Sequence, residues 1–569
     1  MQFLLDISID KLPGGLSELF ILKSEINLHL SGDDYEFISW GDPICTDTFR
    51  IRLHSERSIE FIVNHLSGHY YYIFYDMNNH QFLIGNSLFS ILPIYYYNSN
   101  NRLILSDNAF SLGRHMGMTT LSKRFVLESQ LFNYPLFNHS VIDGISLLPS
   151  NSGMVFDRSG VKIIKHTSIE KLFCQNPLPL KKSVGRLTES FLEVIKKYLP
   201  EENYFTALTG GFDGRTLTAA GRYHGKSFTC YCFGTTASDD LKLASEIAFK
   251  AGIPFLPIEL GNDYLRSYSL DAGKEFIIRS SGTGTFARAH YIFSVRQLAD
   301  RTKYLVTGNF GSEIFRAVHV PGVIISPDLY ALFMSENPEQ AYQKLLSSTR
   351  MKYLNQAELG SVLADLKSDI ACLPCFNSQY GYLTRNQQFY IFVFEELFRK
   401  YFGAEMISQA GYLNNRTPFL DIDFLKQLME TEFAGIHSGF FEENPFKRYK
   451  GQVLYANIIR KAFPQLGKML TDKGYKPDDL ISVTGKSRII AGYMGKRLKR
   501  KAGIGDPNGV RSAWELNRSH YENLPVKNNL FKIKNITDDS NSGLTDNKAK
   551  IFSLIYSDNY LDKLMQTDG

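Results

Sequence analysis

Two different hydrophobic patterns follow one another in the first half of the chain. Between residues 68 and 106, short runs of aromatic and β-branched residues alternate with turns that contain Asn or Gly, as in antiparallel sheets. After residue 182 the period changes, because Leu187, Phe191 and Ile195 are four positions apart, which places them on one face of a helix. The change predicts a strand-rich region followed by a region that contains helices.

Strands and helices alternate in the next segment. Apolar runs at 204–208, 227–233 and 255–258 are separated by helix-like stretches. Ser238 is a suitable N-cap for the second of these helices, and we interpret the acids that follow it as partners of the helix dipole rather than as ligands. Such alternation predicts a parallel sheet with helices on its faces. Ligands then bind at the carboxyl ends of the strands.

The turn after the first of these strands, residues 209–215, has the sequence Thr-Gly-Gly-Phe-Asp-Gly-Arg. Paired glycines let main-chain N–H groups approach a ligand where a Cβ would block it. The helix that follows adds N–H groups without intrahelical acceptors and a positive dipole end, so the turn is predicted to hold phosphate. Asp213 fits such a cradle if Mg2+ bridges it to the phosphates. An ordinary strand–turn–helix corner is the alternative, and the missing Gly-Lys-Ser/Thr excludes a Walker loop.

The turn resembles the pyrophosphate loop, Ser-Gly-Gly-x-Asp-Ser, of the N-type ATP pyrophosphatases and specifically of the asparagine synthetase family. Three later segments resemble that family in the same order. Residues 304–315 resemble its strand followed by G-x-G-x-D-E-L-F, residues 414–421 resemble E-x-R-V-P-F-L-D, and residues 450–477 resemble the K-x-x-L-R to K-x-G-F/Y-x-P close of its domain. Four matches in the correct order make coincidence a poor explanation, although each alone is weak.

The strand-rich N-terminal part resembles the amidotransferase half of the same family. It has a strand that ends in Tyr75-Asp76, and Asp143-Gly144-Ile145 resembles a segment near the end of that half. The family's glutaminase uses a Cys at position 2 as its nucleophile, whereas this chain has Gln2. Glutamine has no nucleophilic group, so we expect this part to lack glutaminase activity and to serve as a remnant, a docking surface or a wall of the cleft.

The resemblance implies an α/β plus α+β fold in three parts. An antiparallel β-sandwich of the Ntn-hydrolase type, glutaminase-like but inactive, is expected over residues 1–178. A doubly wound, parallel-sheet ATP-pyrophosphatase domain that acts as an amide synthetase is expected over residues 179–500. A C-terminal tail with a loop and a terminal helix is expected over residues 501–569.

The resemblance also implies ATP and Mg2+ as cofactors and assigns the site residues. Asp213 and Glu313 are the expected metal ligands, and Lys473 and Glu313 are the expected catalytic residues, with Lys473 stabilising charge at the tetrahedral centre. Arg215 either adds a bidentate phosphate contact or points to solvent. The expected nucleotide and pyrophosphate contacts are Leu208, Thr209, Gly210, Gly211, Asp213, Gly214, Arg215, Phe233, Gly234 and Gly308.

Three functions remain open at this stage. The first is an ATP-dependent ligase that adenylates the carboxylate of a small molecule or peptide and joins it to an internal amine, as in the β-lactam synthetases and lasso-peptide cyclases, with a precursor peptide or biosynthetic protein as partner. The second uses free or partner-derived ammonia, for example in surface polysaccharide assembly. The third is an inactive scaffold, because Gln2, Ser312 and Asn414 depart from the family pattern. Retention of Asp213 and Glu313 favours an active nucleotide site.

Composition excludes several other classes of protein. A net charge of +5 over 569 residues does not favour nucleic-acid binding. The first residues lack a signal-peptide pattern, and no apolar run reaches the length of about eighteen residues that a spanning helix needs. The six cysteines are expected to be reduced thiols in a cytoplasmic protein. Cys372 and Cys375 form a lone CxxC, which we interpret as two buried thiols rather than as a zinc or redox site.

Overall fold

The computed structural model describes most of the chain. The described residues are 3–8, 14–16, 19, 25–99, 102–236, 238–315, 324–442, 444, 447–500, 509–532, 534–535 and 545–566.

The strands within these residues form two antiparallel sheets and one parallel sheet. In chain order they are β1 (Leu4–Ser8), β2 (Leu28–Ser31), β3 (Tyr35–Ile44), β4 (Ser67–Asp76), β5 (Gln81–Asn86), β6 (Tyr95–Ser99), β7 (Arg102–Ser106), β8 (Ser146–Leu147), β9 (Ser152–Asp157), β10 (Gly160–Lys165), β11 (Tyr204–Ala207), β12 (Phe228–Gly234), β13 (Phe255–Glu259), β14 (Tyr304–Val306) and β15 (Asn414–Arg416).

The α-helices are concentrated in the second half of the chain. In order they are α1 (Asp47–Arg52), α2 (Ile59–His65), α3 (Ala109–Met116), α4 (Lys123–Phe132), α5 (Leu180–Ile195), α6 (Asp213–Tyr223), α7 (Asp239–Ala251), α8 (Ser269–Arg279), α9 (His290–Ala299), α10 (Gly311–Phe315), α11 (Pro327–Phe333), α12 (Pro338–Leu346), α13 (Gly360–Ile370), α14 (Arg385–Phe392), α15 (Gly403–Ala410), α16 (Ile422–Met429), α17 (Lys450–Ala462), α18 (Pro464–Gly467), α19 (Gly485–Arg500), α20 (Val510–Glu522) and α21 (Thr545–Gln566). Two π-helical segments, Tyr264–Tyr268 and Val393–Phe402, and short 3-10 turns lie between them.

The N-terminal sheets have the orders β1-β7-β6-β8 and β10-β9-β5-β4-β3-β2, and every pair in them is antiparallel. The aromatic run of β4 is buried on both sides because successive side chains alternate between faces. Tyr70 and Tyr72 pack with the helix residues Phe49 and Phe61, while Tyr71 packs on the opposite face with the core that contains β1 and β7. The predicted antiparallel region is therefore confirmed.

The third sheet has the order β13-β12-β11-β14-β15, and all of its pairs are parallel. Phe205 of β11 packs with Val295 and Leu298 of α9, whereas Cys230 of β12 faces the opposite core, which contains Ala219 of α6. Helices thus cover both faces, as the alternation of strands and helices predicted. Because β11 comes first in the chain and lies centrally, the strand order reverses between β11 and β14, and such a switch point opens a crevice at the carboxyl ends.

Polar contacts join the antiparallel region to the edge strand β15. Arg416 donates from Nε and Nη2 to the carboxylate of Asp42 in β3, at 2.7 and 3.0 Å. A hydrogen bond of 2.7 Å links Nε2 of His69 in β4 to Oγ1 of Thr417. Burial lowers the pKa of His69 to about 4, so its ring is neutral near pH 7. These contacts fix the N-terminal sheets beside the parallel sheet.

Three further features bear on the sequence-based expectations. Cys372 is exposed and only Cys375 is buried, so the CxxC does not form two buried thiols; all six cysteines are unbonded. In the C-terminal tail, where a loop and a terminal helix were expected, the terminal helix α21 begins at Thr545. Gln2 lies outside the described residues, and the predicted loss of glutaminase activity stays a prediction. Within the part of the chain that the structure describes, no helix has the length and apolar character needed to cross a membrane.

Candidate active site

The glycine turn leaves β11 and enters α6 as the sequence predicted, and packing explains two of its glycines. A Cβ on Gly210 would lie 2.8 Å from the Cβ of Asp472, and a Cβ on Gly214 would overlap the carbonyl oxygen of Ala207. Contacts this short are essentially never made by real Cβ atoms. Gly214 therefore allows the close approach of α6 to β11, and Gly210 allows the approach of the segment that contains Asp472.

The remaining turn residues hold the backbone in place. The N–H of Leu208 donates to the carbonyl of Tyr231 at 2.9 Å, and the N–H of Gly211 donates to Oγ1 of Thr209 at 3.1 Å. Helix α6 starts at Asp213, and its N-cap residue, Phe212, makes no side-chain capping bond. The first-turn N–H groups of α6 therefore have neither an intrahelical acceptor nor a side-chain cap from Phe212, which suits an anion.

Asp213 lies where three elements meet. Its Oδ2 accepts a hydrogen bond of 2.7 Å from Oγ of Ser312 in α10, and its Oδ1 accepts one from Oη of Tyr455 in α17. Ser312, at the position where the family pattern has Asp, thus contacts Asp213 as a hydroxyl donor. Tyr455 belongs to the segment 450–477 that resembles the family, and it lies 242 positions from Asp213 in the chain. Nothing in the sequence indicated this contact.

The turn after β14 packs directly on the first residue of α6. A Cβ on Gly308 would lie 2.6 Å from the Cβ of Asp213, and a Cβ on Gly311 would lie 2.8 Å from Cδ2 of Phe419. The close approach requires glycine at both positions. Gly308 was expected to contact the nucleotide; its observed neighbour is Asp213.

Lys473 is brought to the same place by a short segment that docks on the glycine turn. The N–H of Asp472 donates to the carbonyl of Gly210 at 2.9 Å, and Nζ of Lys473 lies 5.0 Å from the centre of the Phe212 ring. Gly474 has a φ of +81°, a conformation that glycine adopts without strain. The structure therefore places Lys473 against the residue that precedes Asp213, and both side chains line one cavity although 260 positions separate them in the chain.

These residues enclose a cavity of about 200 Å³. Its charged side chains are Asp213, Asp472 and Lys473, and the rest of its wall is mainly aromatic or glycine. Sequence reasoning missed Gln452, Tyr455 and Asp472, which no motif distinguished. The lining residues are Gly211, Phe212, Asp213, Ser312, Phe315, Gly451, Gln452, Tyr455, Asp472 and Lys473.

Glu313 follows Ser312 but is not among the lining residues. It is half-buried in α10, and its main-chain carbonyl accepts a hydrogen bond of 2.8 Å from Oη of Tyr390. Among the described residues, no three His, Cys, Asp or Glu side chains come together as a metal site. The structure brings together the side-chain oxygens of Asp213, Ser312 and Tyr455.

Arg215 occupies neither of the two expected positions. Its guanidinium is buried and donates to three main-chain carbonyls, those of Leu466 at 3.1 Å, Met469 at 2.8 Å and Leu470 at 2.8 Å. Burial lowers the pKa of Arg215 to about 10. The side chain thus ties α6 to the segment that leads to Asp472 and Lys473, and it is directed neither to the cavity nor to solvent.

Phe233 and Gly234 end β12, on the other side of β11 from β14. The ring of Phe233 lies 5.0 Å from that of His290, whose pKa burial lowers to about 3. The carbonyl of Gly234 accepts from the N–H of Leu260 at 2.9 Å. These two residues are at a carboxyl strand end, as expected for a nucleotide contact, but they do not line the cavity that contains Asp213.

Comparisons with known proteins add little. No protein-family model matches the chain, and no curated protein matches it. Among solved structures, the chain is similar to glutamine phosphoribosylpyrophosphate (PRPP) amidotransferase from B. subtilis complexed with ADP and GMP, at 8% sequence identity and a TM-score of 0.15. The match covers 40% of this chain and 47% of that chain, which is less than half of the amidotransferase. A likeness this small supports no inference about function.

Proposed function

We propose that the protein is an ATP-dependent ligase that forms amide bonds through an acyl-adenylate. The supporting observation is that Asp213, Lys473 and the uncapped N-terminus of α6 border one cavity at the switch point of a parallel sheet. This combination of a carboxylate, a turn suited to anions and a lysine suits a nucleoside triphosphate better than an uncharged ligand. The proposal includes the Ntn-type fold of residues 1–178 and the ATP-pyrophosphatase fold of residues 179–500 that the sequence resemblance implied.

Mg2+ fits the oxygen donors of the cavity. The ion prefers one or two carboxylates together with phosphate oxygens and water, and Asp213 with the hydroxyl of Ser312 supplies such a partial set. Glycine at position 308 allows the turn after β14 to approach Asp213 closely. When bound, Mg2+ would neutralise charge on the phosphates. Glu313 remains a second candidate ligand.

The residues of the chain have distinct roles in the proposed reaction. The N–H groups at the start of α6 and the side chain of Thr209 bind pyrophosphate as it leaves the α-phosphorus. Lys473 stabilises negative charge on the phosphate and acyl oxygens, which is commonly the largest single contribution to such a step. The rings of Phe212, Phe315 and Tyr455 exclude water, which would hydrolyse the activated carboxylate. An amine or ammonia then attacks the acyl carbon, and AMP leaves.

The acceptor is an amine, as in a peptide or natural-product cyclase, or else free or partner-derived ammonia. Because Gln2 stands where the family has its nucleophilic Cys, an amine or ammonia is favoured over glutamine as the nitrogen source. An inactive scaffold is the competing proposal, because Ser312 replaces a carboxylate of the family pattern next to Asp213. An inactive scaffold is expected to have no affinity for nucleotide, whereas the amine-using and the ammonia-using ligases must both bind ATP.

The first experiment measures binding of a non-hydrolysable ATP analogue in the presence of Mg2+ by calorimetry. Asp213→Ala should abolish binding, because it removes the carboxylate from the cavity. Asp239→Ala is the matched control, since Asp239 is likewise the first residue of a helix that follows a parallel strand but is exposed to solvent. Equal affinity of the Asp213→Ala variant and the wild type would refute the assigned site. No binding by folded wild-type protein would refute both enzymes and leave the scaffold.

A further inference from the structure

The turn that contacts Asp213 is anchored from behind by its own side chains. Thr307 and Asn309 flank Gly308, and neither residue lines the cavity. Oγ1 of Thr307 donates to Oδ1 of Asn415 in β15 at 2.8 Å, and Nδ2 of Asn309 donates to Oε1 of Glu405 in α15 at 3.2 Å. Phe310 has a φ of +70°, which is costly for an aromatic residue and persists only where the surroundings impose it.

The two anchors belong to one hydrogen-bonded ring. Nδ2 of Asn415 donates to Oε1 of Gln409 at 2.7 Å, and Nε2 of Gln409 donates to Oε1 of Glu405 at 3.3 Å. The ring therefore closes at Oε1 of Glu405, the same oxygen that accepts the hydrogen bond from Asn309. Thr307, Glu405, Gln409 and Asn415 are each at most 6% exposed, so water cannot replace a lost partner at low cost.

Glu405 determines the direction of every bond in this ring. An ionised carboxylate only accepts hydrogen bonds, so Gln409 and Asn309 must present their NH2 groups to it. Gln409 then has its oxygen left for Asn415, and Asn415 has its oxygen left for the hydroxyl of Thr307. A neutral amide at position 405 would not impose this order.

Arg288 places a positive charge against the carboxylate of Glu405. Its Nη2 donates to Oε2 of Glu405 at 3.3 Å, and its Nη1 donates to the carbonyl of Tyr401 at 2.7 Å. Burial is the largest effect and raises the pKa of Glu405 above its usual value, and Arg288 with the hydrogen bonds from Asn309, Tyr291 and Gln409 partly offsets this rise. The guanidinium also lies over the rings of Phe276, Tyr291 and Tyr401.

We infer that Glu405 is a positioning residue for the proposed nucleotide site, which it reaches through the turn at residues 307–309. It does not line the cavity. It holds Asn309 directly and Thr307 through Gln409 and Asn415, and so fixes Gly308 against Asp213 and the start of α10, where Ser312 donates to Asp213. The inference rests on the proposed function for the identity of the ligand, and on the observed contacts alone for the anchoring of the turn.

Two measurements on Glu405→Gln test the inference. The first is hydrogen exchange of peptides that cover residues 305–315, without ligand. The substituted amide must either present its NH2 group to Arg288, where donor meets donor, or break the ring, so exchange in this segment should increase. The second is the affinity for the ATP analogue with Mg2+, which should fall by about tenfold or more, as when supporting partners of a metal ligand are removed.

Glu128→Gln provides the matched control. Glu128 in α4 is also fully buried and accepts hydrogen bonds from Arg124, His139 and the N–H of Leu136, but it belongs to the N-terminal region. It should lower thermal stability without changing exchange at residues 305–315 or nucleotide affinity. Asn309→Ala should reproduce the effect of Glu405→Gln, and the double variant should be little worse than either, because both break the same anchor.

The outcomes are separable from those of the proposed function. Unchanged exchange at residues 305–315 in Glu405→Gln would overturn the anchoring role. Increased exchange with wild-type nucleotide affinity would overturn the link from the turn to the site. If the wild type bound no nucleotide, the proposed function would fail, and with it the positioning role, while the exchange data would still decide whether Glu405 holds the turn.

Discussion

Substitution of Gly308 by Ala should separate the turn after β14 from Asp213. Gly308 does not have a positive φ, so alanine introduces no backbone strain, and the whole effect comes from the added methyl group. Its Cβ would lie 2.6 Å from the Cβ of Asp213 and 3.0 Å from the carbonyl carbon of the same residue, whereas ordinary contacts begin at 3.4 Å. The two segments must therefore move apart by about 0.8 Å.

A displacement of that size disturbs the oxygens of the cavity. The hydrogen bond from Ser312 to Asp213, now 2.7 Å, would lengthen to about 3.5 Å, where little of its strength remains. Removal of a supporting partner typically weakens a metal site about ten- to hundredfold. We therefore expect calorimetric affinity for the ATP analogue with Mg2+ to fall by this factor.

The control for this prediction is Gly185→Ala in α5. No atom lies within 4 Å of a Cβ at Gly185, and alanine favours a helix interior by about 0.5–1 kcal/mol, so stability should rise while affinity stays the same. Wild-type affinity in Gly308→Ala, with both variants folded, would refute the reasoning, because it would mean that the contact with Asp213 does not control the site.

Three further predictions follow from particular contacts. Arg215→Leu should destabilise the fold by about 1–3 kcal/mol for each main-chain carbonyl left without a donor and should lower the melting temperature. Full stability with lost nucleotide binding would instead indicate a phosphate contact. Lys473→Met should retain a stable fold but slow pyrophosphate release about 100- to 1,000-fold, and an unchanged rate would exclude Lys473 from the reaction. The pKa of His69 is lowered from 6.5 to about 4. Between these pH values the unfolded state binds a proton at His69 and the folded state does not. The stability contributed by neutral His69 is therefore lost as the pH falls from about 6.5 to 4. His69→Gln should therefore show a smaller loss of melting temperature over that pH range than the wild type, and equal losses would contradict the assignment.

The hydroxyl environment of Asp213 distinguishes this site from a site with two adjacent carboxylates. Both of its oxygens accept hydrogen bonds, from Ser312 and from Tyr455. A cation that binds Asp213 must compete with at least one of these donors. The site thus relies on phosphate oxygens for much of the coordination of any ion, which agrees with the proposed binding of a metal–nucleotide complex.

Local features of the structure were predictable from the sequence. The period-two and period-four patterns gave the antiparallel region and the helices, because side-chain burial follows backbone geometry. The spacing of strands 204–208, 227–233 and 255–258 gave the parallel sheet, because parallel neighbours need a crossover helix. The position of Asp213 at a helix N-terminus also followed from the glycine turn alone.

Contacts between distant segments were decided only by the tertiary structure. Arg215 lies in the glycine turn, yet its partners are main-chain carbonyls about 250 positions away. No local sequence pattern indicates which main-chain carbonyls an arginine will bind. Tyr455 and Glu405 likewise have no motif, and they matter because packing brings α17 and α15 to the ends of β11 and β14. The sequence by itself determined which segments form strands and helices, and that a glycine turn leads into the N-terminus of a helix. Which side chains meet there was decided by the close packing of elements that are far apart in the chain, because burial forces each polar group to find a partner wherever the fold supplies one.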